Sequence, residues 1–302
     1  MTATATIRSG IFKAAILTTA AAWTLFMAAP FAQGQEAGDA RRIVSIGGSV
    51  TEIIHDLGLA DRLVARDRTS LWPESVTRLP DIGYIRALSP EGVLSVNPDL
   101  IIALEGYGPP EAAAVLKQAG VPIVDIPEGY DGDAILAKIN AVAKTLGADE
   151  AGAALAAKVK GELDQAAQAA EAVSPKRKVL FILSMQGGRI MAAGSDTHAN
   201  GIITMAGGVN AMASITGYKQ VTDEAVIEAA PDVILMMDRT GDHAAKASDV
   251  FTHPAIAPTP AASAKSLIKM DGLYLLGFGP RTAAAAMDLG RYLADPKPAM
   301  DY

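Results

Sequence analysis

The chain has 302 residues, half of them apolar and a fifth charged, which is material for a sizeable core and unlike a disordered chain. Its 26 lysines and arginines against 33 aspartates and glutamates give a formal charge of −7, which argues against nucleic acid as a partner because phosphate neutralisation needs clustered positive charge. It has no cysteine, which excludes disulfides, iron–sulfur clusters, thiolate zinc sites, cysteine nucleophiles and an acylated lipoprotein N-terminus.

Arg8 and Lys13 are the only charged side chains before Glu36, and sixteen residues rich in alanine and leucine, Ala14 to Ala29, follow them. That is the layout of a signal peptide. The run is short for a membrane span and is diluted by Thr18, Thr19 and Thr24. The small-x-small rule places cleavage after Ala32-Gln33-Gly34, with cleavage after Ala32 as an alternative that Pro30 disfavours. Residues 1–34 are therefore expected to be removed. Loss of Arg8 and Lys13 takes the charge from −7 to −9 and leaves an acidic, exported, soluble chain with no second membrane segment.

The remainder alternates short apolar runs with amphipathic helical stretches, the pattern of α/β units. Strands are expected at Ile43–Ile46, Leu63–Arg66, Leu100–Leu104, Pro122–Ile126, Val179–Leu183, Val233–Met237 and Ser266–Met270. An internal repeat organises them. The segment from Ser89 to Ile102 recurs from Thr222 to Leu235 at an offset of 133 residues. Each copy reads as a helix capped by Ser89 or Thr222, followed by a Pro-Asp turn into a buried strand. Pro90 occupies the favoured first helical position.

A second correspondence pairs Val44-Ser45-Ile46-Gly47-Gly48 with Leu183-Ser184-Met185-Gln186-Gly187-Gly188, each an apolar strand ending at a glycine pair. Leu136, Ile139, Val142, Ala143 and Leu146 repeat at helical steps, and after a break at Gly147 one long helix is expected from about Asp149 to Ala172. The fold expected is α/β: two similar lobes, residues 40–130 and 178–302, joined by a helical connector at 131–177, with a ligand cleft between them. A stiff helical connector allows only modest lobe motion, unlike a hinge of crossing strands.

No Gly-x-Ser-x-Gly elbow, His-Glu-x-x-His pair, Walker loop or complete Gly-x-Gly-x-x-Gly is present. Gly277-Phe278-Gly279-Pro280-Arg281 lacks the third glycine of a phosphate loop and reads as a strand-to-helix turn. His55, His198, His243 and His253 are scattered without ligand spacing and read as surface or helix-cap residues. No nucleophile, base and orienting group assemble, so the chain is not expected to be an enzyme.

Arg42-Ile43-Val44-Ser45-Ile46-Gly47-Gly48-Ser49-Val50-Thr51-Glu52-Ile53-Ile54, Ala65-Arg66-Asp67-Arg68-Thr69-Ser70, Gly83-Tyr84-Ile85-Arg86-Ala87-Leu88-Ser89-Pro90-Glu91-Gly92 and Gly277-Phe278-Gly279-Pro280-Arg281 resemble the periplasmic haem-binding proteins of bacterial haem ABC importers. The resemblance covers essentially all of the chain after the leader. The wider cobalamin- and siderophore-binding (class III) superfamily shares the first motif and the Pro-Asp-strand repeat, so these support the fold. The Gly-Tyr-x-Arg segment is the part that points to haem.

The resemblance implies a periplasmic protein that captures ferric haem through Tyr84 and hands it to an inner-membrane ABC permease. Ferric iron is hard, and a phenolate is one of the axial ligands proteins give it. A tyrosine in water ionises near pH 10, so ligation at neutral pH needs iron and nearby cations to stabilise the phenolate. Arg86 is expected either to supply such a charge or to pair with a haem propionate. Arg239, at the end of the strand Val233–Met237 and so beside the cleft, takes the role of a second arginine that relatives place in this region. Some relatives follow the strand ending Leu183-Ser184 with an axial histidine; here Met185 stands there, a soft ligand poorly matched to ferric iron. Met185 is therefore expected to pack over the porphyrin, leaving five-coordinate iron. Trp72 is a candidate to stack on the macrocycle, with Tyr107, Tyr130 and Tyr274 as weaker candidates for the pocket wall or a second haem.

In the wider family an acid on each lobe meets permease arginines, and Glu52 and Asp196 hold the matching positions here. A monomer is expected, in a system that includes an outer-membrane haem receptor. The alternatives are a ferric siderophore or cobalamin carrier, for which Tyr84 would be dispensable, and a secreted enzyme using the same cleft.

Overall fold

The computed structural model describes residues 37–238 and 246–296. The expected leader at 1–34, Arg239 and His243 lie outside them. The first half runs β1 (Ile43–Ile46), α1 (Gly48–Asp56), β2 (Leu63–Arg66), β3 (Gly83–Tyr84), β4 (Ala87–Leu88), α2 (Pro90–Leu94), β5 (Leu100–Leu104), α3 (Pro110–Gln118) and β6 (Ile123–Ile126). Its main sheet is parallel, in the order β2-β1-β5-β6. Helices cover both faces of such a sheet, so its strands read as unbroken apolar runs, and every residue of β1 and β5 is buried.

Two helices follow, α4 (Gly132–Thr145) and α5 (Asp149–Glu171). They pack on each other; α4 also packs on α1, and α5 on the C-terminal helix. The buried face of α5, Gly152, Leu155, Val159 and Ala166, follows helical spacing. Ala156 and Leu163 flank it, partly buried, and on the exposed side Lys160 reaches Asp164 at 2.8 Å one turn on.

The second half contains β7 (Lys178–Gln186), β8 (Arg189–Ala193), α6 (His198–Met205), β9 (Val209–Asn210), β10 (Tyr218–Val221), α7 (Asp223–Ala229), β11 (Val233–Asp238), α8 (Ala247–Thr252), α9 (Pro260–Ser263), β12 (Leu267–Asp271), α10 (Gly272–Leu276) and α11 (Thr282–Ala294). The sheet order is β10-β8-β7-β11-β12, with β9 on β7. Successive strand residues point to opposite faces, so Val179, Phe181, Val233 and Leu235 join the large core cluster while Leu180, Ile182, Ile234 and Met236 join a smaller one on the other face.

The repeat is present in its expected form. Ser89 Oγ accepts from Gly92 N at 3.2 Å and Thr222 Oγ1 from Ala225 N at 3.2 Å, and each capped helix leads into a central strand, β5 or β11. The glycine-pair correspondence does not hold. Gly47 leads from β1 straight into α1, whereas Gly187 and Gly188, with φ of 58° and 70°, form the tight turn of the β7–β8 hairpin. The second sheet therefore has antiparallel strands, β8 and β10, which the sequence reading missed along with β3, β4 and β9. Gly277–Arg281 joins α10 to α11, a helix-to-helix turn rather than the strand-to-helix turn expected.

Because the two caps are equivalent, Ser89→Ala and Thr222→Ala are each expected to lower stability by about 1 kcal/mol. Urea denaturation of the single and double variants checks this, with additive losses expected for sites in separate halves.

Candidate functional site

In the first sheet the chain leaves β1 toward β2 on one side and later returns to β5 on the other. The carboxyl ends of β1 and β5 then lead away from each other, which is where open α/β sheets bind ligands. The segment after β2 is fixed over this point by Asp67, which is fully buried. Its carboxylate accepts from Gly47 N (2.9 Å), Thr69 N (2.9 Å), Thr69 Oγ1 (2.6 Å) and Ser70 Oγ (2.7 Å). Thr51 and Ser45 extend the chain of hydroxyls, each link 2.7 Å long. An aspartate just after a strand with a threonine two residues on and a serine three on is an Asx-turn signal.

The β3–β4 hairpin sits beside this segment. Arg68 N donates to Gly83 O at 2.8 Å, while Gly108 N donates to Ile85 O at 2.9 Å and Leu88 N to Gly108 O at 2.8 Å. Ile85 points inward and is buried, so its neighbours Tyr84 and Arg86 point outward. Tyr84 is 46% exposed. The Arg86 guanidinium donates to the Gly106 carbonyl in the loop after β5. Gly106 has φ 78° and a Cβ there would collide with that guanidinium, so the position requires glycine.

Trp72, on the same segment as Asp67, is also 46% exposed. The Arg281 guanidinium lies 4.5 Å from its ring centroid and 5.3 Å from that of Tyr274, whose hydroxyl donates to Asp288 at 2.8 Å. Arg281 Nη2 is 3.0 Å from Glu52 Oε2, and Arg281 N donates to Glu52 Oε1 at 3.1 Å. Glu52 is thus not the outward-facing acid expected for permease docking. It is 3% exposed on α1 and engaged by Arg281, out of reach of an arginine on another protein. Burial raises its carboxyl above the ordinary value despite the arginine.

A second polar cluster lies at the N-terminal end of α1. Lys138 of α4 is 0% exposed and donates to Ser49 Oγ (3.3 Å), Glu128 Oε1 (2.8 Å) and Phe278 O (3.2 Å). Burial lowers its pKa against the pull of Glu128. His198, at the start of α6, has Nε2 3.1 Å from Glu128 Oε1 without an aligned hydrogen bond, and its ring meets Tyr130 and Phe278 edge-on at 4.9 Å each. Burial alone would raise the Glu128 carboxyl; His198 and Lys138 outweigh it and hold the group below its ordinary value.

The remaining candidates scatter. Met185, half-buried on β7 opposite Ile190, packs against the smaller core cluster. Asp196 is exposed with φ 55°. Tyr107 is buried, and Tyr130 is 41% exposed. Tyr218, absent from the expected set, is half-buried beside the N-terminus of α6, and its loss of contact with water pushes the phenol up to about 12.

Residues 43–273 match the family model described as periplasmic binding protein. The chain belongs to this family. Periplasmic binding proteins of this kind carry substrates for transport, outside the cytoplasm. The periplasmic haem-binding protein RhuT from Roseiflexus sp. RS-1, in apo form, is 39% identical, with a TM-score of 0.81 over 85% of this chain and 98% of that one. The periplasmic haem-binding protein BhuT in complex with two haems is also 39% identical, with a TM-score of 0.80 over 84% of this chain and 98% of that one. A vitamin B12-binding protein from Vibrio cholerae is 29% identical over 206 residues, 68% of this chain and 72% of its own length. The chain spans 64%, 74% and 72% of the lengths of three curated relatives it matches. Among the described residues no helix is long and apolar enough to cross a membrane.

Two outcomes are expected. Asp67→Ala leaves buried donors without an acceptor and should cost about 3 kcal/mol in chemical denaturation. Glu128 binds its proton less readily folded than unfolded, so its contribution is complete above the ordinary value of 4.5 and disappears as pH falls through the lower folded value. Glu128→Gln should lower stability at pH 7 and flatten the acid limb of a stability–pH profile below pH 4.5.

Proposed function

We propose that this periplasmic binding protein captures ferric haem through Tyr84 and delivers it to an ABC permease of the inner membrane. The observation that carries the reading is the placement of Tyr84: a half-exposed phenol on a hairpin pinned over the switch point of the first sheet. The haem-binding names of RhuT and BhuT, both at 39% identity, support haem as the cargo. Residues 40–130 and 178–302 are then the two jaws and 131–177 the connector.

The chemistry follows from the residues. The phenol gives up its proton and the phenolate oxygen bonds the ferric iron, so capture releases one proton per haem. Arg86 stands on the same outward edge of the hairpin, tethered to the Gly106 carbonyl, and adds positive charge beside the site. Trp72 offers an open aromatic surface on the neighbouring segment. Arg239, which follows β11 in the sequence and lies outside the described residues, is proposed as the second arginine. Asp196 is the exposed acid of the second half offered to the permease. Binding and release are all this site is asked to do; no covalent step is involved.

A corrinoid is the second reading, supported by the vitamin B12-binding relatives. Its metal already carries its own ligands, so a protein phenolate has no part to play. Absorption titration separates the two. Ferric haem should bind saturably with a high-spin tyrosinate spectrum, with affinity rising with pH because a proton is released. Tyr84→Phe should lose on the order of 100-fold in affinity, about 2.8 kcal/mol, together with that pH dependence. Equal, weak binding by wild type and variant would sink the haem reading, and tight cobalamin binding by both would replace it.

A further inference from the structure

The turn between α10 and α11 is built to reach across to α1. Phe278 has φ 48°, a conformation a bulky residue rarely adopts, and it is kept there by Lys138 on its carbonyl and His198 against its ring. A Cβ on Gly279 would lie 3.2 Å from Ser49 Cβ and 3.4 Å from Ser49 Cα, tighter than ordinary van der Waals contact. The product of this approach is Arg281, gripped by Glu52 through its backbone N–H and Nη2, with its guanidinium over Trp72. Glu52 and Trp72 belong to the first half of the chain and Arg281 to the second. The Arg281 Nε is buried and bonded to nothing, so the side chain's position is set by Glu52 and the two rings rather than by a full set of hydrogen bonds.

Trp72 in turn leaves nearly half of its surface open. Its segment is tied to the Tyr84 hairpin by the Arg68 N to Gly83 O bond. The indole therefore has a cation against it and nearly half of its surface open, on the segment bonded to the Tyr84 hairpin.

We propose that Arg281 is a positioning residue of the capture site: locked to Glu52, it backs the Trp72 indole and holds it as a plate for a flat aromatic ligand beside Tyr84. This rests on the Tyr84 rim being the ligand site, as set out above. The plate is in place only while the second half of the chain lies against α1.

The test uses the full chain with Trp23→Phe, which leaves Trp72 as its one tryptophan. Two variants are made: Arg281→Lys, which keeps a charge for Glu52 but loses the flat guanidinium, and the double Glu52→Gln with Arg281→Gln, which removes the pair without stranding a buried charge. Acrylamide quenching of Trp72 is read without ligand, and dissociation of ferric haem is timed separately. Loss of the flat guanidinium should raise the quenching constant about two-fold and speed haem loss about 10-fold in both variants. Unchanged quenching in both variants overturns the proposal, even if melting temperatures fall, because a merely structural pair would act on stability alone. Quenching that rises while no variant, nor the parent, binds haem upholds the Arg281–Trp72 link and removes only the haem reading.

Discussion

A single buried ammonium governs how this molecule is put together. Lys138 has no exposed surface, and removing such a charge from water is unfavourable by several kcal/mol unless acceptors surround it. Here the acceptors come from three separate parts of the chain: Ser49 on α1, Glu128 before α4 and the Phe278 carbonyl between α10 and α11. Apolar packing tolerates sliding, whereas an interior charge tolerates only the arrangement in which its partners converge. Lys138 thus fixes the approach of the C-terminal half to α1, and with it the ion pair between Glu52 and Arg281.

The rim proposed to meet the ligand follows from that constraint and from Asp67. One buried carboxylate orders the segment after β2 and, through the backbone bond from Arg68 to Gly83, steadies the hairpin bearing Tyr84. The other polar seam brings Arg281 beneath Trp72. Buried polar groups therefore set the positions of exposed aromatic ones. The outward side chains themselves make few contacts, which suits groups that meet a ligand rather than the core.

Local signals in the sequence recovered much of this. Strands β1, β2 and β5 could be placed to the residue because the strands of a parallel sheet are short, mostly apolar runs bounded by turn residues. The caps at Ser89 and Thr222 were legible because a hydroxyl three residues before a helical N–H is a local pattern. Tyr84 stood out only through a family resemblance, since nothing in composition or period separates a ligand tyrosine from a turn tyrosine. The hairpin at Gly187-Gly188 was misread because a glycine pair ends a strand equally well before a helix or before a returning strand. Glu52 was misassigned for a different reason. Its partner is 229 positions away, as Phe278 is 140 from Lys138, and no pattern within a window reports such pairs. The burial of a charged side chain is decided by the fold as a whole.

The large apolar cluster has a further consequence. It runs without interruption from Ile43 and Leu100 of the first sheet through Ile139 and Val159 of the connecting helices to Phe181 and Leu289 of the second half. A chain built from a doubled plan would be free to melt in two stages if each copy enclosed its own interior. Here the second half keeps only a smaller cluster of its own, on the other face of its sheet, and shares the large one with the first half. Each covers apolar surface that the other leaves bare, so the duplicated halves share one cooperative fate, and a single repeat on its own would be a sticky half-molecule in search of its twin.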